Sequence, residues 1–189
     1  MHRDEHLMDD HLIETLLASE HVFDGDMLHV RRDRVRLPNG AAATREYIVH
    51  PGAVLIVPIL ADGRLVLERQ FRYPVGRVML EFPAGKIDPQ ELPLATAKRE
   101  LREEAGYTAG NWKHIGTVHP EIGYSTEVIE MFMATDLTHV GAQLDEGEFL
   151  DVVLMTADEL LAAFDSGEIT DSKTIAALFT WTRFRTRVR

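Results

Sequence analysis

Apolar positions along the chain change spacing from one stretch to the next, and the changes lay out its elements. From about Asp9 to Ser19, Leu12, Ile13, Leu16 and Leu17 recur at helical or near-helical spacing, so a helix is predicted there. His2, His6 and His11, in or beside that segment, are read as exposed imidazoles on this helix and are given no metal-binding role. The next stretch, DMLHVRRDRVRLPNGAAATREYIV, shifts to a period of two, the pattern of a hairpin turning at Pro38-Asn39-Gly40. Strands are predicted at Ala53 to Leu60 and Arg64 to Gln70, around an Asp62-Gly63 turn, and at Val78 to Phe82. Further strands are predicted at Trp112 to His119, Ile129 to Thr135 and Asp151 to Met155. Two helices close the chain, Ala157 to Asp165, ending before Gly167, and Ser172 to Phe184. This order predicts an α/β (α+β) protein, a mixed sheet with helices on both sides.

Between the third and fourth of these later strands lies the segment richest in chemistry, GKIDPQELPLATAKRELREEAGY. Pro83, Gly85 and Pro89 predict a loop from Glu81 to Glu91. A helix follows, with Pro93 suited to its first turn, where a missing N–H costs nothing, and Gly106 suited to the left-handed position after its last turn. Leu92 is a poor N-cap. At ~100° per residue, Glu100, Glu103 and Glu104 share one arc, while Leu94, Ala97, Leu101 and Ala105 form a separate apolar stripe. Three carboxylates this close repel one another, and a hard cation with oxygen ligands relieves that repulsion. The competing reading is a solvated acidic face countered by Lys98, Arg99 and Arg102.

Composition narrows the remaining classes. With 189 residues and 45% apolar content, one well-buried core is expected, with residues 1–50 forming an N-terminal helix and antiparallel strands ahead of a main domain over 51–189. The chain has no cysteine, which excludes disulfides and thiolate metal sites. The charged start, MHRDEHLMDD, is unlike a secretory signal, and the apolar run from Gly52 to Ala61 is too short to span a membrane. A cytoplasmic, soluble protein is expected. A net charge of -11 argues against a nucleic-acid partner, because such binding rests on basic residues displacing counterions. The basic end, WTRFRTRVR, is read as a solvated helix end or fraying tail.

The order Gly85, Glu91, Arg99-Glu100, Glu103-Glu104, Gly106 resembles the Nudix box, which Gly85 through Tyr107 fill with only Tyr107 irregular at a usually aliphatic place. The resemblance implies an α/β/α sandwich and hydrolysis of a nucleoside diphosphate linked to another moiety. It also implies that Glu100, Glu103, Glu104 and the Ala84 carbonyl hold Mg2+, with Mn2+ able to substitute, while Arg99 braces Glu91 as a structural pair.

The stretch from Thr44 to Asp88, with LDEGEFLDVVLM further on, is similar to bacterial ADP-ribose pyrophosphatases. That subfamily implies cleavage of ADP-ribose to AMP and ribose 5-phosphate by a homodimer that exchanges N-terminal hairpins. It places Arg45 and Glu46 on the adenine edge and Phe23 on its face, against the alternatives of a cross-strand ion pair and a core aromatic. Arg72 would grip the diphosphate, or else brace an acidic loop, and Arg69 faces the other way. Glu146 becomes the general base, with Glu103 as the next candidate, and Glu148 a further metal ligand, with Gly147 letting their loop move. The alternative there is an ordinary hydrophilic turn. Glu127 would bind the terminal ribose. One departure bears on the substrate. In HPEIGYSTE, Ile122 stands where the subfamily carries proline, Pro120 lies two residues earlier, and His119 is read as structural. Another nucleoside diphosphate sugar, such as GDP-mannose, is the alternative substrate, and a nucleotide-sensing module without turnover the alternative class.

Overall fold

The computed structural model describes residues 9–186, with side chains to Phe184. His2, His6 and the last residues of the basic tail lie outside the described residues. The described residues fall into two compact units, one reaching to residue 50 with 121–127 added, the other of residues 51–120 with the chain from 128 onward.

The first unit is a three-stranded antiparallel sheet, β1 (Thr15–Asp24), β2 (His29–Arg36) and β3 (Ala42–Val49), in that order. The hairpin between β2 and β3 turns at Gly40, whose φ of 86° suits a residue without a Cβ. The helix expected over Asp9 to Ser19 is not formed. Only Asp10–Leu12 makes a 3-10 turn, and β1 begins at Thr15. Its apolar residues find no core to face, since every residue of β1 is exposed, so their helical spacing carries no burial signal. His11 sits in the 3-10 turn, exposed as expected.

In the second unit, β4 (Ala53–Pro58) is central to a four-stranded sheet ordered β7-β4-β9-β8, with β7 (Ala84–Lys86), β9 (Ile129–His139) and β8 (Tyr107–Val118). β4 runs parallel to β9 and antiparallel to β7. A second sheet orders β10-β5-β6 from β10 (Leu150–Met155), β5 (Leu65–Arg72) and β6 (Arg77–Glu81). Every residue of β4 is buried, and its two faces feed two cores. Val54 and Ile56 pack with Ala97, Leu101 and Ala105 of α1 (Pro93–Glu103) and the turn after it, whereas Leu55 and Val57 pack with Leu160, Leu178 and Trp181. Those last residues belong to α2 (Ala157–Asp165) and α3 (Ser172–Thr186). This is the α/β/α sandwich expected of the sequence. A continuous apolar strand between two helix layers is what such burial demands.

Two readings need correction here. The Glu81 to Glu91 loop contains the short strand β7, which pairs with β4 and so leaves fewer free backbone groups than a loop would. Leu94 is exposed, so the buried stripe of α1 runs through Ala97, Leu101 and, past its end, Ala105. Thr96, a polar residue, is buried beside it, its hydroxyl donating to Glu91. As anticipated, Pro93 opens α1, Leu92 makes no side-chain cap and Gly106 is left-handed at φ 74°.

Candidate active site

Glu68 and Glu81 sit opposite one another across the β5–β6 ladder, so both side chains leave the same face of that sheet. Beyond Glu81 the chain passes through Phe82 and Pro83 into β7, where Ala84 and Gly85 register against Leu55 and Val54 of β4. Helix α1 contacts both β4 and β7 and thereby brings Glu100 and Glu104 onto that turn. The Ala84 N–H donates to Glu104 Oε2 at 3.2 Å. A Cβ on Gly85 would lie 1.9 Å from Glu100 Oε1, inside contact distance. Glycine is required by that close approach of a carboxylate.

These carboxylates are buried together. Glu68, Glu100 and Glu104 are 4%, 8% and 6% exposed, and Glu68 Oε1 is buried with no hydrogen-bond partner. Burial, then the negative charges of Glu148 and Glu81, push the Glu68 carboxyl up to about 8. Burial again, followed by Glu68, Glu100 and Glu148, pushes Glu104 up to about 10 against the opposing Ala84 N–H. Glu100 is raised by burial more than Arg99 lowers it. Glu81 contrasts with them. Burial would raise it too, but the Arg72 hydrogen bond and Lys173 together hold its carboxyl below the ordinary value.

Arg99 ties the entry loop to the helix. Its Nε and Nη2 donate to Glu91 at 3.2 and 2.9 Å, and Nη2 also donates to the Lys86 carbonyl at 3.2 Å. The hydrogen bond from Arg99 is the main reason the Glu91 carboxyl is lowered. Beyond the expected pair, Nη1 of Arg99 reaches Glu100 at 2.8 Å and Glu103 at 3.2 Å. Glu103 therefore shares the Arg99 Nη1 with Glu100, on the more open side of α1. Among the described residues, no three acidic or histidine side chains are gathered as they stand in a geometry that could hold an ion. The donor set nevertheless suits a hard cation. It is all oxygen, its members raise one another electrostatically, and one buried oxygen lacks any donor.

The other expected site residues are distributed as follows. Glu148 accepts a hydrogen bond from Gln70 at 3.4 Å and acts electrostatically on Glu68, Glu100 and Glu104. Glu146, two residues earlier, is exposed, next to Gly147 at φ 86°. Arg72 forks onto Glu81, with Nε and Nη2 donating at 2.8 and 3.0 Å, while Arg69 is exposed on the other face. In the first unit, Phe23 is 55% exposed on β1, and Arg45 pairs with Glu14. Glu46 accepts from Arg32 Nε at 2.7 Å, so Arg45 and Glu46 are not each other's partners. Glu127 lies 3.8 Å from His50 Nε2, and His119 is exposed.

Glu68 and Lys173 were not singled out by sequence reasoning. Glu68 follows Leu65-Val66-Leu67 in a fully buried run, and an acid continuing such a run is itself a usable signal. Lys173 carried none, because it meets Glu81 only through packing of α3.

The chain is similar to known proteins over most of its length. Residues 49–178 match the family described as NUDIX domain, and residues 14–48 match the nucleoside diphosphate sugar hydrolase N-terminal domain. An ADP-ribose pyrophosphatase of Bacillus subtilis (strain 168) is 37% identical, covering 88% of this chain and 91% of its own. A methanol dehydrogenase activator of Bacillus methanolicus is 36% identical over 87% of this chain and 90% of its own. A crystal structure of an ADP compounds hydrolase superposes with a TM-score of 0.82 at 26% identity, covering 92% of this chain and 95% of that one. With the box residues Gly85, Glu100 and Glu104 brought together in a matching fold, the chain belongs to the Nudix family.

Proposed function

We propose that this protein is a divalent-metal-dependent hydrolase that cleaves ADP-ribose to AMP and ribose 5-phosphate. The observation that carries the reading is the buried set Glu100, Glu104 and Glu68 gathered about Ala84 and Gly85, with Glu148 facing it. The names of the similar pyrophosphatase and ADP compounds hydrolase support the substrate, as does the nucleoside diphosphate sugar family matched by residues 14–48. Mg2+, or Mn2+ in its place, would be held by Glu100, Glu104, Glu148 and the Ala84 carbonyl, with Glu103 joining on release from Arg99. When bound, it supplies charge neutralisation on the diphosphate and a water acidified enough to attack phosphorus.

The chain's own groups have distinct tasks. Glu146, carried by the loop beside Gly147, takes the proton of the attacking water, and Glu103 is the alternative base. Arg72, with Nε and Nη2 committed to Glu81, presents Nη1 to a phosphate oxygen. In the N-terminal unit, Phe23 covers the adenine ring, Arg45 and Glu46 read its edge, and Glu127 meets the terminal ribose. Successive strand residues face opposite sides of a sheet, so Arg45 and Glu46 serving one base points to two copies of β3 and hence to a homodimer.

The deciding experiment incubates the protein with Mg2+ and ADP-ribose and follows AMP. Release of AMP is expected, and Glu104→Gln should lower kcat by at least roughly 10²-fold while leaving the circular dichroism spectrum intact. Saturable binding of ADP-ribose without AMP would instead identify a nucleotide sensor, and a higher kcat/KM on GDP-mannose in the same panel would move the substrate.

A further inference from the structure

We propose that Glu68, on β5, is a further carboxylate ligand for the divalent cation at the α1 cluster. The inference rests on the metal-dependent reading above and extends it to a residue outside the box.

Glu68 and Glu81 are a matched pair that receive unequal treatment. They register across the same ladder and are about equally buried, at 4% and 3% exposed. The chain supplies Glu81 with two cations, Arg72 through two hydrogen bonds and Lys173 through an ion pair. It supplies Glu68 Oε1 with no partner among the described residues. A buried, unpaired carboxylate is costly, and its usual resolutions are a paired charge or a coordinated metal. Among the described residues, the neighbours of Glu68 offer Oε1 no free cation. Glu148, Glu81 and Glu100 add negative charge, Glu104 lies within electrostatic reach, and the nearby Arg72 is forked onto Glu81. A cation from outside the chain fits that set of hard oxygens. The position is distinct from those of Glu100 and Glu104, since those lie on α1 and its C-cap and Glu68 on β5 of the β10-β5-β6 sheet.

The rival account is that Glu68 stays a neutral buried acid with no ligand role, in which case glutamine, its uncharged near-isostere, would replace it without effect on metal uptake. Mn2+ binding to the nucleotide-free protein, measured by electron paramagnetic resonance and calorimetry, separates the two. Glu68→Gln is expected to weaken Mn2+ binding by roughly 10- to 100-fold or to lose one Mn2+ per chain. Glu68→Asp, which keeps the charge with a shorter reach, is expected to fall between wild type and Gln, and it carries the test if Gln fails to fold as judged by melting in EDTA. Wild-type Mn2+ uptake in Glu68→Gln would overturn the role of Glu68 while leaving the hydrolase reading intact. A wild-type protein that takes up no Mn2+ at millimolar concentration would overturn both.

Discussion

At the scale of single residues, the site depends on what is absent from Gly85 and what surrounds Glu104. A methyl at position 85 would overlap Glu100, 1.9 Å from Oε1 and 2.0 Å from its Cδ. Gly85→Ala is therefore expected to cost about 1–3 kcal/mol in urea unfolding, the range for overpacking, and to weaken Mn2+ binding because Glu100 must move. Titration gives a second test. In the folded protein Glu68 and Glu104 ionise near 8 and 10, above the usual 4.5 that they would have when unfolded. Between these values the folded state binds more protons, so stability falls as pH rises. In EDTA, Tm is expected to be highest near pH 5 and to decline toward pH 8, and Mg2+ should flatten the slope by favouring the ionised carboxylates. A Tm that rises over that window without metal would contradict the burial of these groups as acids.

Elements decide how those residues meet. Helix α1 enters without a side-chain cap at Leu92, and its first turn is held by Pro93 and by the Thr96–Glu91–Arg99 bonds to the preceding loop. Arg99→Lys keeps the charge but loses the fork that spans Glu91, the Lys86 carbonyl, Glu100 and Glu103. Steady-state kinetics should show kcat/KM lowered on the order of 10²-fold, as expected when a reacting constellation shifts by an ångström. Most of the elements are legible in the sequence because their periodicity matches their burial. β4 reads as a continuous apolar run and is buried on both faces, and β2 alternates and forms its hairpin. β1 was misread as helix for the opposite reason, since Leu16, Leu17, Val22 and Phe23 are all exposed and no core imposes a period on them. β7 was missed because three residues are too few to show alternation.

At the scale of the whole molecule, β1 is the exposed feature that bears on assembly. It is an edge strand with an exposed apolar surface, and such edges invite pairing with another chain. The proposed homodimer through the segment from Val22 to Ile48 predicts that sedimentation will give twice the monomer mass at micromolar concentration. Val22→Asp, placing charge on that strand, should shift the equilibrium toward monomer. A wild-type monomer at all concentrations would remove the dimer from the proposal. No described helix is long and apolar enough to cross a membrane.

The sequence by itself determined the strand before the box and the helix that carries its glutamates, because each is marked by neighbours close in the chain, and resemblance to the Nudix box supplied the pairing of Arg99 with Glu91. Only the tertiary structure decided that Glu68 of β5 joins Glu100 and Glu104, that Lys173 and Arg72 are both spent on Glu81, and that Glu103 shares Arg99 with Glu100. Those outcomes depend on how the two sheets and three helices of the second unit stack, and local periodicity records which face of an element is buried without recording what it is buried against.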